Sequence, residues 1–519
     1  MNKQMKKYLS IHGILIVLLL AFTMAVWYGL LSLVLVIPLL LVLGVALLDL
    51  SQKKHAVRRN FPVIGNFRYI FEAIRPEIMQ YFIESDIDGA PINRMFRSLV
   101  YQRAKNQLDT SPFGTKMDVY KIGYEWMNHV TFSSLAEPSL VPPTVCVGGR
   151  DCLQPYLSSL LNISAMSFGA LSKNAVLAMN KGAKLGSFAQ NTGEGGISDY
   201  HLEHGGDLIW QIGTGYFGCR KKDGSFCETT FRSSALLPAV KMIEIKLSQG
   251  AKPGHGGMLP ALKNTPEVAR YRHVEPFKAI HSPAFHSEFA DAAGLLYFVQ
   301  RLRRLSDGKP VGFKFCVSGE ADVRLLCEEM IRTGIYQDFI TVDGGEGGTG
   351  AAPVEFSNSL GMPLRDGLAL VNDLLEAYGI RKEIRLMASG KLITGFHMAR
   401  ILALGADVCY AARAMMLATG CIQALRCNTN SCPVGVATQQ ERLVNGLDVA
   451  DKSVRVATFH EKTLQSLLDL TAAAGLQSPM DIERRHIHRR ISTTQVKTYA
   501  QIYIAPAVQM PERKPLIGG

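Results

Sequence analysis

The run Val311-Gly-Phe-Lys-Phe-Cys-Val317, a helix-period stretch to Thr333, and then Phe339-Ile-Thr-Val-Asp343-Gly-Gly-Glu-Gly-Gly-Thr-Gly-Ala351 decide the fold. Each apolar run is short enough for a buried strand and ends in turn-forming residues. A strand, a helix and a second strand in that order make a parallel pair with a right-handed crossover. The same texture begins at Leu161 to Met166, which runs into Ser167-Phe-Gly-Ala-Leu-Ser172. Ser172 can cap a helix that carries Ala175, Ala178, Met179 and Ala183 on one face. A helical pattern around Leu368 to Tyr378, Ile384 to Ala388, Gly390, a helix to Leu404 and Val408 to Ala411 continue it. Roughly eight such units in about 260 residues suit an α/β fold of the (β/α)8 TIM type. A doubly wound sheet is the alternative that the alternation leaves open.

With 519 residues, 47% of them hydrophobic and 19% charged, the chain is neither disordered nor collagen-like, and it exceeds a single small module. Ten scattered cysteines are too few for a disulfide scaffold and point to a reducing compartment. The net charge of +12 is concentrated in part around one apolar segment, at Lys3, Lys6, Lys7, Lys53, Lys54, Arg58 and Arg59. That placement reads as membrane-surface charge, and no nucleic-acid partner is expected. The basic cluster at Arg484, Arg485, Arg489 and Arg490 reads as a solvated face.

From Tyr8 to Leu48 there is no Asp, Glu, Lys or Arg. A single helix of that length would reach roughly 60 Å, twice the hydrocarbon thickness. A break at Trp27-Tyr28-Gly29 gives a hairpin of two spans, Ile11 to Val26 and Leu30 to Leu48, with both ends in the cytoplasm. A signal peptide and one long tilted span are the rivals. The expected division is a transmembrane hairpin over 1–50, a helical connector over 51–140, the barrel over 141–440 and a helical extension over 441–519.

Candidate chemistry falls in loops after strands. Five glycines between Asp343 and Ala351 let backbone amides approach an anion closely. Asn191-Thr-Gly-Glu-Gly-Gly196 is a shorter version of the same device. Lys314 sits mid-strand in apolar surroundings, where it either snorkels outward or holds the electron-rich edge of a flavin. Cys421, Cys427 and Cys432 precede Pro433-Val-Gly-Val-Ala-Thr-Gln439, and three thiolates so close suit iron and sulfide. Zinc and unligated structural cysteines remain alternatives on spacing alone.

Ser164 to Ser172, Asn191 to Gly196, Gln249-Gly-Ala-Lys-Pro-Gly254, Asp343 to Ala351 and the cysteine run resemble, in order, the FMN-binding synthase domain of glutamate synthase. The chain is most similar to the stand-alone, membrane-anchored branch of that family. The resemblance implies FMN at the C-terminal face of the barrel beside a 3Fe-4S cluster. It implies an oxidoreductase of the CH-NH2 class that makes L-glutamate from 2-oxoglutarate and ammonia through 2-iminoglutarate. By the resemblance, Ala165, Met166, Ser167 and Thr192 line the flavin and Lys314 faces its pyrimidine side. Gly345, Gly348, Gly390, Ala412 and Arg413 approach the ribityl phosphate, and Cys421, Cys427 and Cys432 ligate iron. Glu194 steers the nitrogen nucleophile, so Glu194 and Lys314 are the catalytic candidates. Lys252 and Arg272 hold the substrate carboxylates, beside His255 and Met258.

Two departures stand out against the family pattern. Its substrate loop commonly reads Pro-Gly-Glu-Gly-Gly-Gln-Leu-Pro, whereas this chain reads Pro253-Gly-His255-Gly-Gly-Met258-Leu-Pro260. A carboxylate has become an imidazole and an amide a thioether. At Ala412-Arg413 a guanidinium replaces the backbone donors of the usual Gly-Thr phosphate contact. No glutaminase nucleophile or dinucleotide fingerprint is read, so ammonia and electrons are expected from outside, the latter from a ferredoxin-like or membrane donor. The alternatives are an FMN and iron-sulfur oxidoreductase acting on another keto or imino acid, or a catalytically degenerate redox or assembly subunit. The expected location is the cytoplasmic membrane, with membrane lipid as a contact and the catalytic part facing the cytoplasm.

Overall fold

The computed structural model describes residues 33–107, 109–132 and 141–506, together with residues 16, 19, 20, 22, 23, 26 and 27. It separates into two compact units, Met1–Gly89 and Ala90–Gly519.

In the first unit, helices Leu33–Ser51, Ala56–Asn60 and Gly65–Ile78 are followed by a π-helical turn, Met79–Ile83. The Asp49 carboxylate closes the last turn of Leu33–Ser51 by accepting from the Val63 amide at 2.9 Å and from the Asn66 side chain. Among the described residues no helix is long and apolar enough to cross a membrane. This corrects the expected transmembrane hairpin, and with it the membrane location and the lipid contact. Most of the first expected span, residues 11–26, lies outside the described residues.

The second unit is built around a closed parallel barrel. Its strands are β1 (Leu161–Ile163), β2 (Gln190–Asn191), β3 (Leu208–Ile212), β4 (Val240–Lys246), β5 (Val311–Phe315), β6 (Phe339–Asp343), β7 (Arg385–Ser389) and β8 (Val408–Ala411). Neighbours pair in sequence order, Phe313 with Ile340 and Thr341 with Met387, and β8 closes on β1 through Cys409 and Leu161. Every residue of β3 and β6 is buried, as strands covered on both faces require. The (β/α)8 expectation is met, and the doubly wound alternative falls because the sheet has no open edge.

Helix Lys173–Gly186 follows β1 and is capped by Ser172, which accepts from the Ala175 amide at 3.2 Å. The long helix Val449–Ala473 lies against it so closely that a Cβ on Gly182 would meet Val456 at 2.7 Å. His460 of that helix reaches the Ser159 hydroxyl at 2.9 Å and the Leu161 carbonyl at 3.0 Å, under the start of the barrel. Strand Glu125–Met127 pairs with Ile487–Arg490, which pairs in turn with Val496–Thr498. The Glu125 carboxylate is clamped there by Arg365 and Arg400 and accepts from the Tyr499 hydroxyl at 2.9 Å.

Candidate active site at the barrel mouth

Parallel strands send all their C-terminal ends to one face, so the loops after them converge. Between those loops lies a cavity of about 370 Å³, whose lining includes Met166, Glu194, Lys252, Lys314, Gly348 and Cys427. Residues distant in sequence meet here because the loops that carry most of them follow different strands of one barrel.

The floor is polar. Glu244 of β4 is fully buried and accepts from Asn191 Nδ2 and Gln211 Nε2 at 2.7 Å each, and from Thr341 Oγ1 at 2.6 Å. Four strands thus share one carboxylate whose lone pairs are occupied, which fixes the walls above it.

Above this floor, Glu194 faces Lys246 across 3.1 Å. Burial alone would raise the Glu194 carboxyl, but the charges of Lys246, Arg272 and Lys252 hold it below its ordinary value. Lys252 donates to the Ala351 carbonyl at 2.8 Å. Burial and the neighbouring Lys246 pull its ammonium down to about 8. Arg272 donates to Ser167 Oγ at 3.1 Å and to the Phe168 carbonyl at 3.2 Å, and stands 5.1 Å over the Phe217 ring. Its Nε is buried without a partner among the described residues, and burial lowers the guanidinium to about 10. Three cations around one carboxylate leave a net positive pocket able to hold a dicarboxylate.

On the opposite wall, Lys314 lies 3.4 Å from Asp343, and Asp343 also takes the Gly250 amide at 2.8 Å. Gly250 has no room for a side chain, because a Cβ would meet the Gly344 carbonyl oxygen at 1.7 Å. A Cβ on Gly348 would meet the Arg413 side chain at 2.9 Å. Beside this wall a small cavity of about 20 Å³ is bordered by Gly348, Gly390, Lys391, Ala412 and Arg413. Lys391 adopts a left-handed backbone (φ 48°), and burial followed by repulsion from Arg413 lowers its ammonium.

The cysteine loop forms the third side. Cys421, Cys427 and Cys432 all line the main cavity. Burial pushes Cys421 up to about 12, with Cys427 and Cys432 adding to the rise. Gln423, Leu425 and Asn430 between them take left-handed φ values of 57°, 55° and 58°, a concentration of strain seen at ligand clamps. Gln439 fastens the loop to the turn after β1, donating to the Gly169 carbonyl at 3.1 Å and the Leu171 carbonyl at 2.8 Å. Among the described residues, no three His, Cys, Asp or Glu side chains converge to hold a single metal ion.

Most of the residues singled out from the sequence meet at this mouth: Ala165, Met166, Ser167, Glu194, Lys252, Met258, Arg272, Lys314, Gly348, Ala412, Arg413 and the three cysteines. Others stand apart from the main cavity. Thr192 is turned inward, accepting from the Gln211 amide at 3.1 Å. Gly345 is engaged with the Met362 carbonyl at 2.8 Å, and Gly390 borders the small cavity. His255 reaches the Gly256 carbonyl at 2.8 Å and packs edge-on against Phe356. Lys246, Glu244 and Lys391 were not singled out. In the sequence Lys246 ends an Ile-Glu-Ile-Lys strand and reads as a snorkelling lysine, a pattern with no mark of its role.

A closed parallel barrel whose mouth gathers cationic side chains, a glycine-rich loop and three thiols defines the class of a barrel protein with its candidate site at the C-terminal ends of the strands. The conserved region of glutamate synthase matches residues 139–477. The glutamate synthase large subunit-like protein YerD of Bacillus subtilis is 37% identical over 492 residues, which cover 88% of this chain and 93% of that protein. The archaeal glutamate synthase (NADPH) of Methanocaldococcus jannaschii is 35% identical over 326 residues, 62% of this chain and 60% of that enzyme. The chain belongs to the glutamate synthase family, a family of oxidoreductases. Among solved structures, a mandelate oxidase variant aligns at 12% identity and a TM-score of 0.41 over 83% of this chain and 96% of its own. A flavocytochrome b2 variant aligns at 12% and 0.44 over 90% and 94%.

Proposed function

We propose that the chain is a glutamate-synthase-type oxidoreductase that uses FMN and an iron-sulfur cluster to aminate 2-oxoglutarate reductively, by way of 2-iminoglutarate, to L-glutamate. The observation that carries this reading is the trio Lys246, Lys252 and Arg272 around Glu194, in the same cavity as the glycine cradle and the three thiols. A dicarboxylate needs two cationic contacts, and the nitrogen that attacks its keto carbon needs a base nearby.

The fit of each group rests on the residues present. The glycine-rich loop with Arg413 and Lys391 suits a phosphate, and the main cavity, lined by both Met166 and Lys314, suits a flat ring system. Bound there, FMN supplies hydride. Ala165, Met166 and Ser167 would hold its ring, and Gly348, Gly390 and Arg413 its phosphate. Lys314, fixed by Asp343, would stand at the pyrimidine side and offset negative charge. Cys421, Cys427 and Cys432 would hold a 3Fe-4S cluster, which would carry electrons to the flavin.

The protein's own groups then bind, orient and move protons. Lys252 and Arg272 hold the two carboxylates. Glu194, kept ionised beside Lys246, accepts a proton from the attacking nitrogen, and the Lys246 ammonium stands ready to protonate the departing hydroxyl. Ammonia arrives free or from a partner, and electrons from a ferredoxin-like or other donor.

Anaerobically purified protein should be yellow-brown, and after reduction it should form glutamate from 2-oxoglutarate and ammonium. Colourless protein after supply of FMN, iron and sulfide would overturn the reading. The second reading, another keto acid, is favoured by one observation: the thioether of Met258 lines the cavity where the family pattern has an amide. Under that reading reduced protein ignores 2-oxoglutarate and reduces a less polar keto acid.

A further inference from the structure

After β3 the chain forms a small hairpin in which Arg220 and Phe226 face each other as an antiparallel bridge. The Cys227 amide donates to the Cys219 carbonyl at 2.9 Å, and the Lys221 amide to the Ser225 carbonyl at 2.8 Å. This register sets Cys219 directly opposite Cys227 with both side chains on one face of the ribbon. Directly opposed residues of an antiparallel ribbon stand about 4.5–5.5 Å apart at Cα, within the roughly 4.4–6.8 Å that disulfides bridge. Both thiols are free. Burial raises the Cys219 thiol, and charge on Cys227 raises it further, so the two sulfurs share one electrostatic neighbourhood.

Their reactivities differ in a useful way. Cys219 is buried, whereas Cys227 is partly exposed at the N-cap of helix Glu228–Ala235. The Thr230 hydroxyl donates to its sulfur at 3.3 Å. With the Thr230 and Thr229 amides and nearby Lys221, that contact holds the Cys227 thiol below its ordinary value.

We propose that Cys219 and Cys227 form a reversible thiol-oxidation site, closed into a disulfide by a low-molecular-weight disulfide such as glutathione disulfide. The Cys227 thiolate attacks one sulfur of the oxidant, whose S–S bond breaks and releases one glutathione thiolate. Cys219 then attacks the Cys227 sulfur, the second glutathione thiolate departs, and the Cys219 proton passes to it. Two protein sulfurs lose two electrons in all, and one glutathione disulfide becomes two glutathione molecules. The hairpin that this bond locks walls a groove of about 1330 Å³ edged by Arg220, Lys222 and Lys278. Two residues before Cys219, Phe217 carries Arg272 on its face. The pair takes no part in the proposed reaction, so its test stands apart from that of the function.

The test incubates purified full-length protein anaerobically in graded glutathione and glutathione disulfide, quenches with acid and alkylation, and maps peptides by mass spectrometry. The expected product is a peptide linked between Cys219 and Cys227 with the loss of two hydrogens. Exposed Cys146, outside the hairpin, serves as the accessible-thiol reference. In Cys219→Ala the reaction should stop at glutathionylated Cys227, and in Cys227→Ser the hairpin should stay unmodified. A wild-type protein that keeps a stable mixed disulfide on Cys227, or that reacts at Cys146 while the hairpin stays reduced, would overturn the proposal. Cys227→Ser changes a partly exposed residue, so this arm remains readable if Cys219→Ala fails to fold.

Discussion

The ammonium of Lys263 donates to the carbonyl oxygen of Cys427 at 3.0 Å, from a side chain only 2% exposed. Its other bond, to the Ala170 carbonyl at 2.6 Å, joins the cysteine loop to the turn after β1. One buried cation therefore sets the distance between the two loops that would hold the proposed cofactors. A buried lysine is costly unless its donors are used, which is why this one bridges two carbonyls.

Replacing it with a side chain of similar volume isolates that bridge. Lys263→Met should take the Lys263 donor from two half-buried carbonyls and lower stability by about 1–3 kcal/mol, read by urea unfolding of protein without bound iron. Iron content after reconstitution should fall with it. Unchanged unfolding would mean that the bridge contributes nothing.

The ion pair of Glu194 and Lys246 carries the proton chemistry of the proposed reaction. Glu194→Gln keeps the shape and removes the base, so kcat should fall by about 10²–10⁴-fold, while KM for the keto acid should change far less. A variant that keeps wild-type kcat would remove Glu194 from the chemistry.

Lys252 gives the reaction a pH limit. Its ammonium, held near 8 by burial and by Lys246, loses its charge as pH rises through that value. The contact with a substrate carboxylate is present below it, so kcat/KM for the keto acid should fall tenfold per pH unit above about 8. In Lys252→Arg that alkaline limb should move up by more than one unit, because guanidinium stays protonated. A limb that stays in place would assign it to another group.

Much of this arrangement was legible in the sequence, and the reasons differ by element. The barrel was readable because runs such as Phe339 to Val342 are mostly apolar and lead into glycine-rich turns, a pattern that local sterics and burial on both faces impose together. The three cysteines and the glycine cradle are contiguous motifs, so spacing alone revealed them. Lys246 and Glu244 were hidden because their partners, Glu194 and Thr341, are far away in sequence and meet them only when the barrel closes. The membrane expectation rested on an apolar run, which measures composition, and among the described residues no helix is long and apolar enough to cross a membrane.

Met258 lines the cavity where the family pattern has an amide. If 2-oxoglutarate is the substrate, Met258→Gln should supply one hydrogen bond to it and lower KM by about threefold to tenfold, the equivalent of roughly 0.5–1.5 kcal/mol. Equal or weaker binding of 2-oxoglutarate, with loss of activity on a less polar keto acid, would favour the second reading of the site.

Two glycines on this wall, Gly250 after β4 and Gly348 after β6, should separate folding from binding. At Gly250 a Cβ would meet the Gly344 carbonyl oxygen at 1.7 Å, backbone against backbone, so Gly250→Ala must push apart the loops after β4 and β6. We expect a stability loss of about 3 kcal/mol and weak flavin retention as its consequence. At Gly348 the added Cβ would meet only the flexible Arg413 side chain, at 2.9 Å. Gly348→Ala should therefore unfold like the unaltered chain while displacing the guanidinium from the phosphate, weakening FMN binding by about tenfold, or 1.4 kcal/mol. Fluorescence titration with FMN, run beside urea unfolding of both variants, distinguishes the two effects. Equal losses of stability in the two proteins would mean that Gly348 serves the loop's folding rather than the anion.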